Sequence, residues 1–175
     1  MLLEEIVVVW SVCQAAYWCG VAWLTQRHFA RAMTCGGEAE PRVAVLKPLC
    51  GCEPTPFERF ASFCRQTYRD YAVLFGAPRA EDPAAQIVRR LQRICSDRDI
   101  QLHVGRVAGI NPKVRLLTRL VQHADADIVM ISDSDVQASP EYVRRMAQPL
   151  ASEKVGLVIC PYVITEPRTL TDRLE

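Results

Sequence analysis

The sequence predicts an α/β fold: a mostly parallel sheet with helices on both faces, preceded by one transmembrane helix. Short apolar, β-branched runs alternate with helical repeats along residues 43–162. Such alternation produces parallel strands joined by crossover helices. The transmembrane helix is predicted by an uncharged apolar run at the N-terminus, whose length suits a bilayer.

The apolar run covers residues 6–24 and carries no charged side chain. As a helix it would be about 28 Å long, close to the roughly 30 Å hydrocarbon core of a membrane. Glu4 and Glu5 precede it, and Arg27 and Arg31 follow it. A cleaved signal peptide begins with basic residues instead, while a buried core helix is a further alternative. The positive-inside rule places the N-terminus outside and the remaining chain in the cytoplasm.

Three regions follow from this division: a membrane anchor at residues 1–30, a linker at residues 31–42 and a globular domain at residues 43–175. Two adjacent glycines and a proline interrupt the linker, as in irregular connections. Within the domain, strands are expected where short runs rich in valine, isoleucine and aromatic residues occur. These runs cover residues 43–47, 71–76, 100–104, 127–132 and 155–162.

The helices alternate with these strands and place their apolar residues on one face. They are expected over residues 56–66, 83–95, 113–124 and 140–150. A capping side chain followed by proline opens three of them, because both residue types favour the first turn of a helix. The pairs are Asp82–Pro83, Asn111–Pro112 and Ser139–Pro140.

Charge and cysteine content narrow the class of protein. A formal net charge of +1 gives no bulk electrostatic attraction to nucleic acid, so no nucleic-acid partner is expected. The eight cysteines lack paired zinc-type spacing. Cys50 and Cys52 are the close pair, and two thiolates alone make a poor zinc site. Ordinary reduced thiols are expected, as in a cytosolic body.

Two carboxylates, Asp133 and Asp135, follow the fourth predicted strand. Ligands of parallel sheets bind beyond the carboxyl ends of the strands, and Mg²⁺ or Mn²⁺ would offset the repulsion between two carboxylates. Neither GxGxxG after the first strand nor GxxxxGK[ST] is present, which argues against dinucleotide and P-loop sites. The pattern favours a divalent cation holding a diphosphate. A solvated polar loop is the alternative.

Five motifs occur in the order seen in ceramide glucosyltransferase-like enzymes, the family 21 branch of GT-A glycosyltransferases. They are VAVLKPLCGCEP, EDPA, GINPK, ISDSDV and VGLVICPY. The sequence most resembles the bacterial hopanoid-associated members, which share the SFCRQ stretch at residues 62–66. The resemblance implies a GT-A (Rossmann-like) nucleotide-sugar-binding half-domain. It also implies a UDP-sugar donor and a membrane lipid acceptor, glycosylated at the cytoplasmic face.

The resemblance also implies roles for particular residues. Asp135 matches the aspartate that binds the divalent metal, and Asp133 matches one that positions the ribose or the metal. Asp82 matches an aspartate that holds the uracil or ribose end of the donor. Its other role is that of a helix cap, and the two roles are compatible. Lys47 and Pro48 end the first strand, where the nucleotide base is expected.

Lys113 could meet the diphosphate, since its charge adds to the backbone donors at a helix N-terminus. A solvated first-turn lysine is the alternative, and Asn111 could simply cap the helix.

The family pattern continues into an acceptor half with an acidic general base and a (Q/R)xxRW motif, whereas tryptophan occurs here at positions 10, 18 and 23. The expectation is therefore a glycosyltransferase present as a truncated chain, with its general base in the missing C-terminal half. A catalytically inactive, membrane-tethered UDP-sugar-binding module is one alternative. A response-regulator-like or interaction domain is another, but it needs an acidic pocket where Lys47 stands.

Overall fold

The computed structural model describes residues 2–30, 40–49, 56–105 and 110–161. The chain divides into two compact units, Met1–Cys35 and Gly36–Glu175. Most of the predicted linker, and both Cys50 and Cys52, lie outside the described residues.

The first unit contains helix α1, Leu2–Ala30. Its segment Leu3–Arg27 is long and apolar enough to cross a membrane, judged by length and composition. Trp10 and Trp18 are 67% and 64% exposed, so the helix presents large apolar side chains on its surface. The predicted helical run is confirmed, and the predicted orientation across a membrane stays a prediction.

The second unit is built on a parallel sheet of four strands, β1 (Val43–Pro48), β2 (Tyr71–Ala77), β3 (Asp99–Val104) and β4 (Ile128–Ile131). Their order across the sheet is β3-β2-β1-β4. Each described strand pairs in parallel with its neighbour, which confirms the predicted fold class. β1 lies between β2 and β4, and its Val45 pairs with Val73 of β2 on one side and with Met130 of β4 on the other.

Helices lie on both faces of the sheet, as predicted. They are α2 (Pro56–Cys64), α3 (Pro83–Ile94), α4 (Pro112–Val121) and α5 (Tyr142–Ala147), followed by a 3-10 turn at Gln148–Ala151. Two predicted caps are confirmed: Asp82 accepts a hydrogen bond from the Ala84 amide (2.9 Å), and Asn111 accepts from Lys113 (3.0 Å) and Val114 (3.3 Å).

The two faces of β1 separate two apolar cores, because successive side chains of a strand point to opposite faces. Val43 and Val45 pack into the larger core, which includes residues of α2, α3 and α5. Ala44 and Leu46 pack into a smaller core with Leu120 of α4. Buried on both faces, β1 reads as a continuous apolar run until Lys47.

The predicted fifth strand at residues 155–162 is wrong for its described part, since residues 155–161 form no strand. A strand needs a hydrogen-bonded partner, and apolar composition alone does not supply one. Leu157 and Ile159 are instead 75% and 81% exposed. Tyr162 lies outside the described residues.

The predicted N-cap Ser139 is also wrong, because α5 begins three residues later, at Tyr142. The intervening turn is held by tertiary contacts: the Ser139 carbonyl accepts from Gln66 Nε2 (2.8 Å), and the Pro140 carbonyl accepts from the Thr67 amide (2.9 Å). The first turn of α5 is satisfied by a distant side chain instead, since Gln66 Oε1 accepts from the Val143 amide at 3.0 Å.

Candidate functional site

The carboxyl ends of all four strands meet at one edge of the sheet, because the strands are parallel. The chain runs from β1 outward to β2 and β3, and then returns to the other side of β1 as β4. Ligands of open α/β sheets bind at such a reversal. Every predicted site residue ends or follows a strand at this edge: Lys47 and Pro48 (β1), Asp82 (β2), Lys113 (β3), and Asp133 and Asp135 (β4).

The turn at residues 133–136, called here the DSD turn, carries both aspartates of the candidate metal site. The Ser132 amide donates to the Leu46 carbonyl at 3.1 Å, which continues the β1–β4 ladder one residue past the strand. The Val136 amide donates to the Asp133 carbonyl at 3.3 Å and closes the turn. Asp133 is half-buried and Asp135 is exposed, so the turn presents its carboxylates at the sheet edge.

Lys47 lies beneath the DSD turn with 0% of its surface exposed. Its Nζ donates to Ser132 Oγ (3.1 Å) and to the Asp133 carbonyl (2.7 Å), and it lies 3.7 Å from the centre of the Phe63 ring. Burial lowers the pKa of Lys47 to about 7, and the carboxylates of Asp135 and Asp133 oppose part of that change.

This position differs from the one that the sequence suggested. Lys47 and Pro48 were expected to line the pocket for the nucleotide base, yet both side chains are buried. Lys47 faces the same core as Val43 and Val45, and its polar atoms go to the DSD turn. A direct contact of these two residues with a nucleotide stays a prediction.

Lys113 approaches the DSD turn from α4, on the opposite face of the sheet from α2. Its Nζ lies 2.5 Å from Asp133 Oδ1, and both side chains are partly exposed, at 46% and 39%. The structure therefore gives this first-turn lysine a carboxylate partner. An ion pair this exposed contributes little stability, so Lys113 can change partners at low cost.

The donor set of the DSD turn suits a hard divalent cation. Among the described residues, no group of three or more His, Cys, Asp or Glu side chains could enclose a metal. Asp133 and Asp135 supply two carboxylates separated by one residue. Protein sites for Mg²⁺ beside a diphosphate use one or two carboxylates, with water and phosphate oxygens completing the shell. The residues present fit that class of site.

Asp82 lies at the same edge, at the N-terminus of α3. One carboxylate oxygen, Oδ1, accepts from the Ala84 amide at 2.9 Å, so the cap role is confirmed. Its predicted contact with the uracil or ribose stays a prediction.

Sequence reasoning missed the residues that hold the far side of the candidate site. Ser62 Oγ accepts from the Ala138 amide at 3.0 Å, and the buried Gln66 contacts Ser139 and Val143. A signal was present in the SFCRQ stretch, where Ser62 and Gln66 stand close in sequence to the apolar Phe63 and Cys64 at the end of α2. Because buried polar groups are usually hydrogen-bonded, such residues point to a tertiary partner.

Comparisons with known sequences place these features in a family. The sequence model of "Glycosyl transferase family 21" matches residues 4–175. Ceramide glucosyltransferase 1 of Caenorhabditis elegans is 31% identical over 120 residues, which is 67% of this chain and 26% of that protein. A ceramide glucosyltransferase of Gibberella zeae is 28% identical over 137 residues, covering 72% of this chain and 26% of that protein. The chain thus spans about a quarter of the length of these relatives.

Solved structures share the fold. The mannosyltransferase PcManGT from Pyrobaculum calidifontis, in complex with GDP-Man and Mn²⁺, superposes with a TM-score of 0.61 at 21% identity. The match covers 77% of this chain and 40% of that one. S. aureus TarS, residues 1–349, gives a TM-score of 0.50 at 20% identity, covering 61% of this chain and 31% of that one. At these identities the likeness concerns the fold.

Proposed function

The chain belongs to glycosyl transferase family 21, and on that premise we propose that it forms the nucleotide-sugar-binding part of a membrane-bound glycosyltransferase. The reaction transfers a sugar from a UDP-sugar to the hydroxyl of a lipid of ceramide or hopanoid type. The observation that carries the proposal is the DSD turn at the β1–β4 reversal, with Lys113 beside its first carboxylate.

The donor side of this proposal rests on chemistry at the sheet edge. Asp133 and Asp135 present carboxylates for a divalent cation, Mg²⁺ or Mn²⁺. PcManGT, which shares the fold, was solved with GDP-Man and Mn²⁺. The N-termini of α3 and α4 lie at the same edge, and a helix N-terminus favours phosphate through the helix dipole.

The residues of this chain act mainly on the leaving group. A divalent cation, when bound, supplies positive charge that stabilises the diphosphate as the bond to the sugar breaks. Asp133 and Asp135 hold that charge in place. Lys113 moves from Asp133 to a diphosphate oxygen and adds a second positive charge, and Asp82 orients the ribose or uracil. The family pattern assigns deprotonation of the acceptor hydroxyl to an acidic residue of the acceptor half.

The acceptor side rests on α1 and on the relatives. The helix is long and apolar enough to span a membrane, and the named relatives are ceramide glucosyltransferases. The charges that flank residues 6–24 favour an outside N-terminus and a globular unit in the cytoplasm.

Nucleotide selectivity tests the donor proposal. The chain, purified in detergent with Mn²⁺, is titrated calorimetrically with UDP, GDP and UMP. We expect UDP to bind more tightly than GDP, because the base is read, and more tightly than UMP, because the second phosphate meets the cation and Lys113. Lys113→Gln should weaken UDP binding by roughly tenfold or more, as for one charged hydrogen bond. Lys154→Gln, which alters an exposed lysine after the 3-10 turn, is the control. Equal binding of UDP and UMP would contradict the proposal.

Lipid mass spectrometry tests the transfer. Cells expressing the full reading frame should accumulate a hexosylated lipid, and Asp135→Asn should abolish it. If UDP binds but no glycolipid forms, the inactive binding module is the correct reading.

A further inference from the structure

We propose that Lys47 is the positioning residue of the donor site: its buried amine fixes the DSD turn so that Asp133 and Asp135 present their carboxylates together. The inference rests on the proposed function and deepens it, because it assigns the geometry of the metal site to a residue buried beneath the DSD turn.

The first observation is where the polar end of Lys47 goes. An amine in an apolar core is unfavourable unless hydrogen bonds replace its lost water. Lys47 is fully buried, and its Nζ donates to Ser132 Oγ and to the Asp133 carbonyl, at 3.1 and 2.7 Å. The face of the Phe63 ring, 3.7 Å away, adds a cation–π contact. Both hydrogen-bond partners lie at the end of β4, so the amine is specific for that segment.

The second observation is how weakly β4 itself supports the turn. The strand has four residues, Ile128–Ile131, and its described pairing is with β1. The ladder gives one further bond, from Ser132 to Leu46. Beyond it, the Asp133 carbonyl receives both Lys47 Nζ and the Val136 amide, so a single oxygen links the core to the turn.

The third observation is a second anchor on the far side of the turn. Ser62 Oγ of α2 accepts from the Ala138 amide at 3.0 Å. The segment that carries the two carboxylates is therefore held at both ends, by Lys47 at Asp133 and by Ser62 at Ala138. Loss of the Lys47 anchor would let the two carboxylates separate, and a cation that needs both would then bind less well.

Hydrogen–deuterium exchange of the full chain in detergent tests the anchor without any ligand. Lys47→Met keeps the apolar stem and removes the amine. We expect amides of residues 133–136 to exchange about tenfold faster, as for the loss of a charged hydrogen bond. Amides of β2 at residues 72–75 should be unchanged. If the amides of residues 133–136 exchange in Lys47→Met at the same rate as in wild type, the proposal is overturned.

Calorimetry with UDP separates positioning from general stability. In Lys47→Met, the enhancement of UDP affinity by Mn²⁺ should fall by about tenfold, a larger loss than any change in UDP affinity without metal. Leu74→Val, which trims the opposite core, should lower the melting temperature and keep the enhancement. If Leu74→Val loses the enhancement equally at a matched melting temperature, Lys47 is merely structural and the proposal fails.

A third variant checks the chemistry of the anchor. Lys47→Ala removes three carbon atoms and the amine, which are the heavy atoms of n-propylammonium. Adding n-propylammonium should therefore restore the enhancement of UDP affinity by Mn²⁺. The neutral molecule n-propanol, which has the same size, should not restore it. Restoration by both, or by neither, would overturn the proposal. Should wild type show no Mn²⁺ enhancement, the proposed metal site fails, and the exchange experiment still decides the role of Lys47.

Discussion

Asp133 is contacted by two lysines that come from opposite faces of the sheet. Lys113 reaches its carboxylate, and Lys47 reaches its carbonyl from the core. The positive charge of Lys113 offsets part of the repulsion between the carboxylates of Asp133 and Asp135. Residues whose partners are local could be predicted from sequence, as the caps Asp82 and Asn111 show. The partner of Lys47 could not, because Ser132 lies 85 residues away in the chain.

The two roles of Asp82 can be separated by substitution. Asp82→Ala removes the cap of α3 and should cost about 1 kcal/mol of stability. Asp82→Asn keeps a good cap but removes the charge, so the free energy of unfolding should change little while UDP affinity falls with or without metal. Chemical denaturation and calorimetry of both variants check this. Unaltered UDP binding in Asp82→Asn would limit Asp82 to capping.

The buried amine of Lys47 should make stability depend on pH. Its pKa is about 7 in the folded chain, against an ordinary value of 10.5. Between these values the unfolded chain binds more protons, so the free energy of unfolding rises with pH. Below about pH 7 both states are protonated, and the fold bears the full cost of the buried charge.

The measurement compares melting temperatures of wild type and Lys47→Met. From about pH 7 to pH 9, wild type should gain at least about 4 °C relative to the variant. Burial raises the pKa of the Cys64 thiol from its ordinary value of 9.0 to about 12. Above pH 9 this raised pKa lowers the free energy of unfolding of both proteins, so the comparison ends at pH 9. Parallel curves would contradict the account.

Among the elements, the order of strands and helices and the placement of helices on both faces of the sheet could be predicted, because the periodicity of apolar residues reports burial directly. The segment at residues 155–161 shows the limit of that reasoning. Its composition is that of a strand, yet Leu157 and Ile159 are exposed and unpaired by any described strand. Pairing depends on a partner edge, which composition does not encode. β4 similarly exposes Val129 (44%) and Ile131 (55%) on one face.

This exposed apolar surface predicts self-association. Residues 38–175 without α1 should aggregate at micromolar concentration, since exposed strand edges and apolar faces promote it. Ile131→Thr should reduce the aggregation, measured by light scattering, and change the melting temperature by less than about 2 °C. Met130→Thr, on the buried face of the same strand, is the matched control and should lower the melting temperature. A monomeric wild-type segment that melts cooperatively would contradict the prediction.

In the whole molecule, the sequence predicts an outside N-terminus because acidic residues precede the apolar run at residues 6–24 and arginines follow it. The structure shows which residue can report on that orientation. Cys64 is buried and its pKa is raised, so it would resist labelling on either side of a membrane. Cys160 is exposed and suits the purpose.

A chain whose single cysteine is Cys160 should not react with a membrane-impermeant maleimide in intact cells. It should react once the cells are permeabilised. A second chain with one cysteine placed before Glu4 is the control and should show the opposite pattern. Labelling of Cys160 in intact cells would reverse the orientation.

We propose that Asp133 and Asp135 hold a divalent cation on the diphosphate of UDP. Calorimetric titration of the chain in detergent, with UDP in the presence and absence of Mn²⁺, tests it most directly. Because coupling between two ligands is reciprocal, each should raise the affinity of the other, by about tenfold or more. Asp135→Asn should abolish the coupling, and Asp133→Asn should weaken it. Equal UDP affinity with and without Mn²⁺ in wild type would contradict the account and leave the DSD turn a polar loop at a strand end.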